Sequence, residues 1–331
     1  MSEGSDYDPG PWKGETFADA RKDYDAFIGR SYANAVNTGK KVEDVKVPTV
    51  EASCESPLII AADETGSVGD WIAPIFAKLG FIVNEAPTYL GKDMQISFCA
   101  FGDAYCNERY PLQVRPFADG LALKDRLKEL VIEQGGGGNG GESSELAALY
   151  YARNCKTPKA IRKPIIVFIT DEQPHSPVDP KLAERWTGVK LEGSLTAKQV
   201  FEELKKKFEV YVVLKPYSPG APDDNPGNRG IYDIWVDLLG FKNVKILPEA
   251  DRVGDVILGI LAEATDKNDE FRDDMEKRQT KVQQKTVYKS LGLNEDGTPK
   301  DNEKDEGKKT GGSKSVLRVP PKKKDKPGKL Y

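Results

Sequence analysis

The chain has 331 residues, and its 49 basic and 53 acidic side chains leave a formal net charge of −4. A balance this close to neutral indicates neither a nucleic-acid nor a membrane partner, and no apolar run is long enough to span a bilayer. The first ten residues are polar and acidic, unlike the basic and apolar regions of a secretory signal, so we expect a cytoplasmic protein.

The chain begins with an extension, residues 1–54, before the first strand of the predicted domain. Within it, apolar side chains recur at mostly helical spacing over residues 17–36, which predicts an amphipathic helix. We expect this N-terminal helical extension to pack on the outside of the sheet.

A strand-to-helix turn follows at the start of the domain. Residues 57–62 are continuously apolar and lead to Asp63, the pattern of a strand buried on both faces. Two hydroxyls, Thr65 and Ser67, come next, before an amphipathic helix predicted over residues 71–79. Ligands bind at such turns in open α/β sheets, and oxygen ligands without His or Cys suit a hard cation such as Mg²⁺.

A second buried strand, residues 164–170, also ends at a carboxylate, Asp171. The glycine-rich loop 135–144 lies between the two strands and leads into a helix predicted over residues 145–153. The other predicted elements, in chain order, are the strand 94–101, the edge strand 112–117, the helices 121–132 and 195–208, the strand 210–214, the helix 231–239, the strand 244–247 and the helix 252–264. This alternation predicts a doubly wound, mostly parallel α/β sheet with one antiparallel edge strand.

The connections and the C-terminal region are more polar. Residues 81–93, 172–197 and 216–230 are expected to be irregular connections. Beyond Thr265 the chain is charged and sparsely apolar, so we expect one solvated helix and then a disordered basic tail within residues 266–331. That tail is a solubilising segment or, alternatively, a docking peptide or a weak nucleic-acid contact.

The turn, the loop and the second strand together resemble the von Willebrand factor type A family over residues 55–265. In that family a D-x-[ST]-x-S turn, a loop hydroxyl and an Asp at the end of the fourth strand form a metal-ion-dependent adhesion site. Asp63, Thr65, Ser67 and Asp171 match this motif residue by residue. The resemblance is to intracellular bacterial and bacteriophage members, and it implies a Rossmann-like fold that binds Mg²⁺, with Mn²⁺ or Ca²⁺ as alternatives.

The loop departs from the family pattern. Family members often place a Thr ligand where this chain has Gly140 and Gly141. The resemblance leaves Glu142 or Ser143 to take that role, directly or through water, unless both only cap the following helix. A Glu ligand would make the site more negative and weaken its attraction for a partner's carboxylate.

The family resemblance implies a protein-binding module rather than an enzyme. In the family, an Asp or Glu of a partner protein completes the coordination of the ion. Some intracellular relatives work as substrate adaptors with AAA+ ATPases of the MoxR type, so such an ATPase is one candidate partner.

Three other interpretations stay open at this stage. The Asp63 turn can be simple helix capping. The chain can be a magnesium-dependent hydrolase, in which the ion activates water and Glu64, Glu172 or His175 acts as general base. It can also be a structural or assembly protein whose metal site is functionally idle.

Overall fold

The computed structural model describes residues 48–68, 71–106, 108–120, 122–130 and 139–300. The predicted helix over residues 17–36, the tail beyond residue 300 and most of the glycine run lie outside these ranges. Those expectations therefore stay predictions. The chain divides into two compact units, Met1–Pro299 and Lys300–Tyr331, and every element below belongs to the first.

Strands and helices alternate along most of the described chain. The strands are β1 (Val50–Glu51), β2 (Ser56–Asp63), β3 (Met94–Phe101), β4 (Leu112–Val114), β5 (Cys155–Lys156), β6 (Ile165–Thr170), β7 (Glu209–Leu214) and β8 (Val244–Ile246). The helices are α1 (Ile72–Leu90), α2 (Ala122–Lys128), α3 (Ser144–Asn154), α4 (Pro180–Thr187), α5 (Ala197–Lys207), α6 (Pro226–Leu239), α7 (Val253–Ala264), α8 (Asn268–Arg278) and α9 (Lys281–Leu291).

Six strands form the main sheet in the order β4-β3-β2-β6-β7-β8. The β3–β4 pair is antiparallel, and the other neighbours are parallel. The predicted α/β fold with a mostly parallel sheet and one antiparallel edge strand is confirmed. Strands β1 and β5 pair separately as a short parallel ladder.

The sheet is covered on both faces, which explains the continuous apolar strands. Alternate residues of β2 enter opposite cores: Leu58 and Ile60 join the cluster that contains α1 and α7, whereas Ile59 and Ala61 join the cluster that contains α3 and α5. Because successive side chains of a strand point to opposite faces, a strand buried on both faces needs apolar residues at every position. This arrangement places Asp63 at the carboxyl end of a central strand.

Helix α1 is longer than the sequence pattern predicts. The expected end at Gly80 is wrong, because the helix continues through Pro87 to Leu90. The extra turns bury Ile82 and Tyr89 in the core. Pro87 lies in the last turn, where it removes a single backbone hydrogen bond, and the apolar burial outweighs that loss.

Helix α4 lies within the connection that was expected to be irregular. Asp179 caps its start by accepting hydrogen bonds from the N–H groups of Lys181 and Leu182, and Gly188 ends it at φ 72°. The cap, the proline after it and the C-terminal glycine are helix signals present in the sequence. Helix α6 likewise begins earlier than predicted, at Pro226, after the capping residue Asn225.

The region after Thr265 packs more closely than predicted. Two helices, α8 and α9, replace the one solvated helix that was expected, and all of their large apolar side chains except Val282 are buried beside α7. A Cβ at Gly259 of α7 would clash with Leu291 of α9, so the two helices meet at a point where only glycine fits. The side chains they bury are Phe271, Met275, Val287, Tyr288 and Leu291.

Candidate metal centre

Asp63 is fixed at the end of β2 by three hydrogen bonds. Its Oδ1 accepts from the Thr65 N–H at 2.9 Å and from the Thr65 hydroxyl at 2.7 Å. Its Oδ2 accepts from the hydroxyl of Thr170, the last residue of β6, at 2.7 Å. The carboxylate is therefore held in one orientation by two neighbouring strands. Sequence analysis missed Thr170, although its place beside Asp171 was the available signal.

Ser67 connects this carboxylate to the second one. The Ser67 hydroxyl lies 3.0 Å from the Thr65 hydroxyl and donates to Asp171 Oδ1 at 3.0 Å. The structure thus brings the four residues that match the family turn, Asp63, Thr65, Ser67 and Asp171, into one cluster of oxygens: Thr65 donates to Asp63, Ser67 donates to Asp171, and the two hydroxyls lie in contact. Helix capping alone does not account for this arrangement, because Ser67 bonds a carboxylate 104 residues away.

The surroundings of Asp63 disfavour the ionisation of both Asp63 and Asp171. Burial, and next the charge of Asp171, raise the pKa of Asp63 to about 7, and the hydrogen bonds from Thr65 and Thr170 oppose the rise only partly. A cation between such carboxylates would favour their ionised forms.

Glu142 supplies a third carboxyl group. Burial raises its pKa to about 11, with further contributions from the charges of Asp63, Asp103, Glu108 and Asp171 in that order. Its Oε2 is buried and has no hydrogen-bond partner among the described residues. A buried polar oxygen without a partner is costly, so this atom marks a place that a cation would stabilise.

These donors fit a hard divalent cation. No three His, Cys, Asp or Glu side chains of the described ranges form a ready-made cation cluster. The candidate centre instead combines carboxyl groups with the neutral hydroxyls of Thr65 and Ser67. Such all-oxygen sets, completed by water, suit Mg²⁺.

Ser143, the other loop candidate, has a different environment. Its hydroxyl accepts from the Ala104 N–H at 3.0 Å, and its own N–H donates to Gly102 O at 2.9 Å. Ser143 therefore ties the start of α3 to the loop after β3. Of the two candidates, Glu142 is the one that interacts with the Asp63 carboxylate, whose charge is the largest contribution after burial to the raised pKa of Glu142.

The two glycines before Glu142 are each favoured at their position for a different structural reason. Gly140 adopts a φ of +76°, a conformation that favours glycine. A Cβ at Gly141 would lie only 2.9 Å from His175 Nδ1. A side chain at Gly141 would therefore require the neighbouring imidazole to move.

Lys215 is a component of the site that sequence analysis missed. It follows β7 directly, and its Nζ lies 3.0 Å from Asp171 Oδ2 and 3.1 Å from Ser67 O. The signal was available, because a lysine after a buried parallel strand lies at the same sheet edge as Asp63 and Asp171.

The general-base candidates of the hydrolase hypothesis are placed differently from one another. Glu64 Oε1 accepts from Gln113 at 3.1 Å, and His175 Nε2 lies 3.0 Å from Asp103 Oδ1. Only Glu172 remains next to the centre, and burial followed by the charge of Asp171 raises its pKa.

Comparisons with known proteins give structural neighbours only. No family model matches the chain, and no curated protein matches it. It is similar to proximal thread matrix protein 1 from the mussel byssus, with 11% identity and a TM-score of 0.44 over 65% of this chain and 49% of that one. It is also similar to the pilus adhesin SpaC from Lactobacillus rhamnosus GG, with 12% identity and a TM-score of 0.45 over 69% of this chain and 32% of that one.

The chain therefore spans half or less of the length of these structural neighbours. Similarity at this level carries no inference about function. Separately, none of the helices in the described ranges is long and apolar enough to cross a membrane.

Proposed function

We propose that this chain is a metal-ion-dependent protein-binding module of the von Willebrand factor A type, which captures an acidic side chain of a partner protein. The supporting observation is the cluster of oxygens formed by Asp63, Thr65, Ser67 and Asp171. The buried Glu142 Oε2 has no hydrogen-bond partner among the described residues, and its carboxyl group interacts electrostatically with Asp63. This arrangement supports the proposal because carboxylate and hydroxyl oxygens are ligands of the kind that a divalent cation binds.

Each residue has a defined role in this proposal. Asp63 and Asp171 supply negative charge to the ion, directly or through water, while Thr65 and Ser67 supply neutral oxygens. Glu142 takes the place of the family's loop ligand. A bound Mg²⁺ would supply an electrophilic centre that attracts one more carboxylate.

The partner is then a protein that offers an Asp or Glu side chain. An AAA+ ATPase of the MoxR type stays one candidate for that partner, on the family resemblance alone. The third carboxyl group, Glu142, would add negative charge once a bound ion displaces its proton, so we propose a weaker capture of the partner's carboxylate than two carboxylates alone would give.

The test is affinity capture from the native cell extract in Mg²⁺ and in chelator. The parent is compared with Asp63→Ala, and Asp237→Ala serves as the matched control because its carboxylate is on the surface, paired with Lys198. We expect a partner that the parent and the control retain in Mg²⁺ and that Asp63→Ala does not retain.

Titration of the purified proteins with Mn²⁺ reports on the ion directly. The parent should bind one Mn²⁺ and Asp63→Ala should not. Identical partners in all conditions would instead show that the ion plays no part in binding. An idle structural site would appear as a stability loss in Asp63→Ala without any change in the captured proteins.

A further inference from the structure

Lys215 is held in the candidate metal centre by a complete set of contacts. Its backbone N–H donates to Thr170 O at 2.9 Å, which fixes it beside the end of β6. Its Nζ reaches Asp171 Oδ2 at 3.0 Å, Ser67 O at 3.1 Å and Pro216 O at 3.3 Å. Three oxygens thus face the three hydrogens of an ammonium group that belongs to a side chain only 9% exposed.

This ammonium group uses the same atoms that a metal ion would need. Asp171 Oδ1 accepts from Ser67 and Asp171 Oδ2 accepts from Lys215, so each oxygen of the carboxylate already has one hydrogen-bond donor. A divalent cation that approaches Asp171 meets a positive charge that is already there. Two cations a few ångströms apart repel strongly where water is excluded.

We propose that Lys215 is a resident counter-ion of the metal centre, which holds Asp171 and Ser67 in position and competes with the divalent cation for Asp171. This inference rests on the proposed function, since it describes how the same site is regulated. The metal affinity is then set by an exchange of one cation for another. The exchange keeps the site ordered at low ion concentration and makes its occupancy sensitive to changes in that concentration.

The packing around Lys215 is not closed on every side. A small cavity next to Asp171 is lined by Lys215 itself, by Pro216 and Tyr217 of the β7–α6 connection and by Asn228 of α6. Part of the surroundings of the Lys215 side chain is therefore free of packed atoms.

The experiment is a Mn²⁺ titration of Lys215→Met beside the parent. Lys245→Met is the matched control, because Lys245 is also a buried lysine, paired with Glu263 at 2.9 Å. Removing the positive charge should tighten Mn²⁺ binding by about tenfold or more. Lys245→Met should bind Mn²⁺ as the parent does.

A second variant protects the test against a folding defect. Lys215→Gln retains a hydrogen-bond donor for Asp171 and removes the charge, so it should also bind Mn²⁺ more tightly than the parent. Thermal unfolding supplies an independent measurement: ligand binding stabilises the folded state according to its affinity, so a given Mn²⁺ concentration should raise the Tm of both Lys215 variants more than that of the parent.

The outcomes separate this inference from the proposed function. Unchanged or weaker Mn²⁺ binding in both Lys215 variants, with binding still abolished by Asp63→Ala, overturns the counter-ion role and leaves the adhesion site intact. If neither the parent nor a Lys215 variant binds Mn²⁺ in an Asp63-dependent way, the proposed metal site itself is overturned, and the counter-ion role with it. Binding seen only after Lys215 is replaced supports the exchange in its strongest form.

Discussion

Two buried carboxylates of this fold have opposite electrostatics. Asp63 and Asp103 are both almost fully buried, and burial alone would raise the pKa of each. At Asp103 hydrogen bonds from His175, Cys106 and a backbone N–H outweigh burial, and the pKa is lowered. At Asp63 burial and the charge of Asp171 outweigh the hydrogen bonds, and the pKa rises to about 7.

The difference lies in how far hydrogen-bond donors balance each buried carboxylate. The Asp103 carboxylate already has polar partners, including Asn139 Nδ2 at 2.6 Å from its Oδ2. The Asp63 side of the same sheet edge has Glu142 Oε2, which lacks a hydrogen-bond partner in the described ranges. Burial of an acidic residue therefore does not mark a candidate metal centre by itself, because hydrogen-bond donors can balance a buried carboxylate, as they do at Asp103.

The largest predicted effect is the pH dependence of the metal-free protein. The folded pKa of Asp63 is about 7 against a model value of 3.8, so the folded state binds the proton more tightly than the unfolded state. The stability from this group is fully present below pH 4 and is lost as the pH rises through 7. In urea unfolding with chelator, the free energy of unfolding of Asp63→Asn should rise relative to that of the parent by a few kcal/mol over this pH interval.

Mn²⁺ should reduce this pH dependence in the parent, because an ion favours the ionised carboxylate. Asp63→Asn gives the matched measurement, since its own difference with and without Mn²⁺ should be small. A parent whose stability relative to Asp63→Asn is flat between pH 4 and 7 would contradict the unbalanced charge at this site.

The second prediction concerns Glu142→Gln. A carboxyl group with a pKa of about 11 is protonated at neutral pH, and Gln has nearly its shape, so the metal-free protein should unfold at almost the same urea concentration. Mn²⁺ affinity should fall about 10- to 100-fold, as is typical when a group that supports a metal site is removed. Equal Mn²⁺ affinity in Glu142→Gln and the parent would show that Glu142 is not part of the metal centre.

The third prediction tests the other side of the comparison. Asp103→Asn weakens the contacts with His175 and the Tyr105 N–H, and should cost about 1–2 kcal/mol of unfolding free energy near pH 7. Because the folded pKa of Asp103 is lowered, its contribution is present above pH 4 and is lost as the pH falls below it, opposite in sign to Asp63.

The Asp103→Asn variant should keep its Mn²⁺ affinity within about threefold of the parent, because its hydrogen bonds are made to His175 and the surrounding loop rather than to the ion's donors. A large loss of Mn²⁺ binding would show that Asp103 and Asp63 belong to one functional site.

Much of the fold could be predicted because the patterns of apolar residues indicate which faces of its strands and helices are buried. The continuous apolar runs before Asp63 and Asp171 require burial on both faces, and parallel strands place their carboxyl ends at one edge. Helix α1 was predicted too short because local signals, a glycine and Pro87, oppose a helix that tertiary burial stabilises. The helices after Thr265 were not predicted as packed elements because only a few of their residues are apolar, although most of those few are buried beside α7.

The candidate site was harder to predict beyond its turn motif. Lys215 reaches Asp171 from 44 residues further along the chain, and nothing in the local pattern states where its ammonium points. The loop residue presented the same difficulty. Glu142 and Ser143 are adjacent in sequence, so only the direction of each side chain separates a group beside Asp63 from one that supports the next loop.

The smallest predicted effect decides between these two neighbours. Ser143→Ala removes the hydroxyl that accepts from the Ala104 N–H, and it should cost about 1 kcal/mol of unfolding free energy. Mn²⁺ affinity should stay within about twofold of the parent, because the Ser143 oxygen serves the loop after β3. Loss of Mn²⁺ binding in Ser143→Ala, with Mn²⁺ binding unaffected in Glu142→Gln, would contradict this assignment. It would show that the Ser143 hydroxyl is the loop ligand, as a hydroxyl is in the family, and that Glu142 is not.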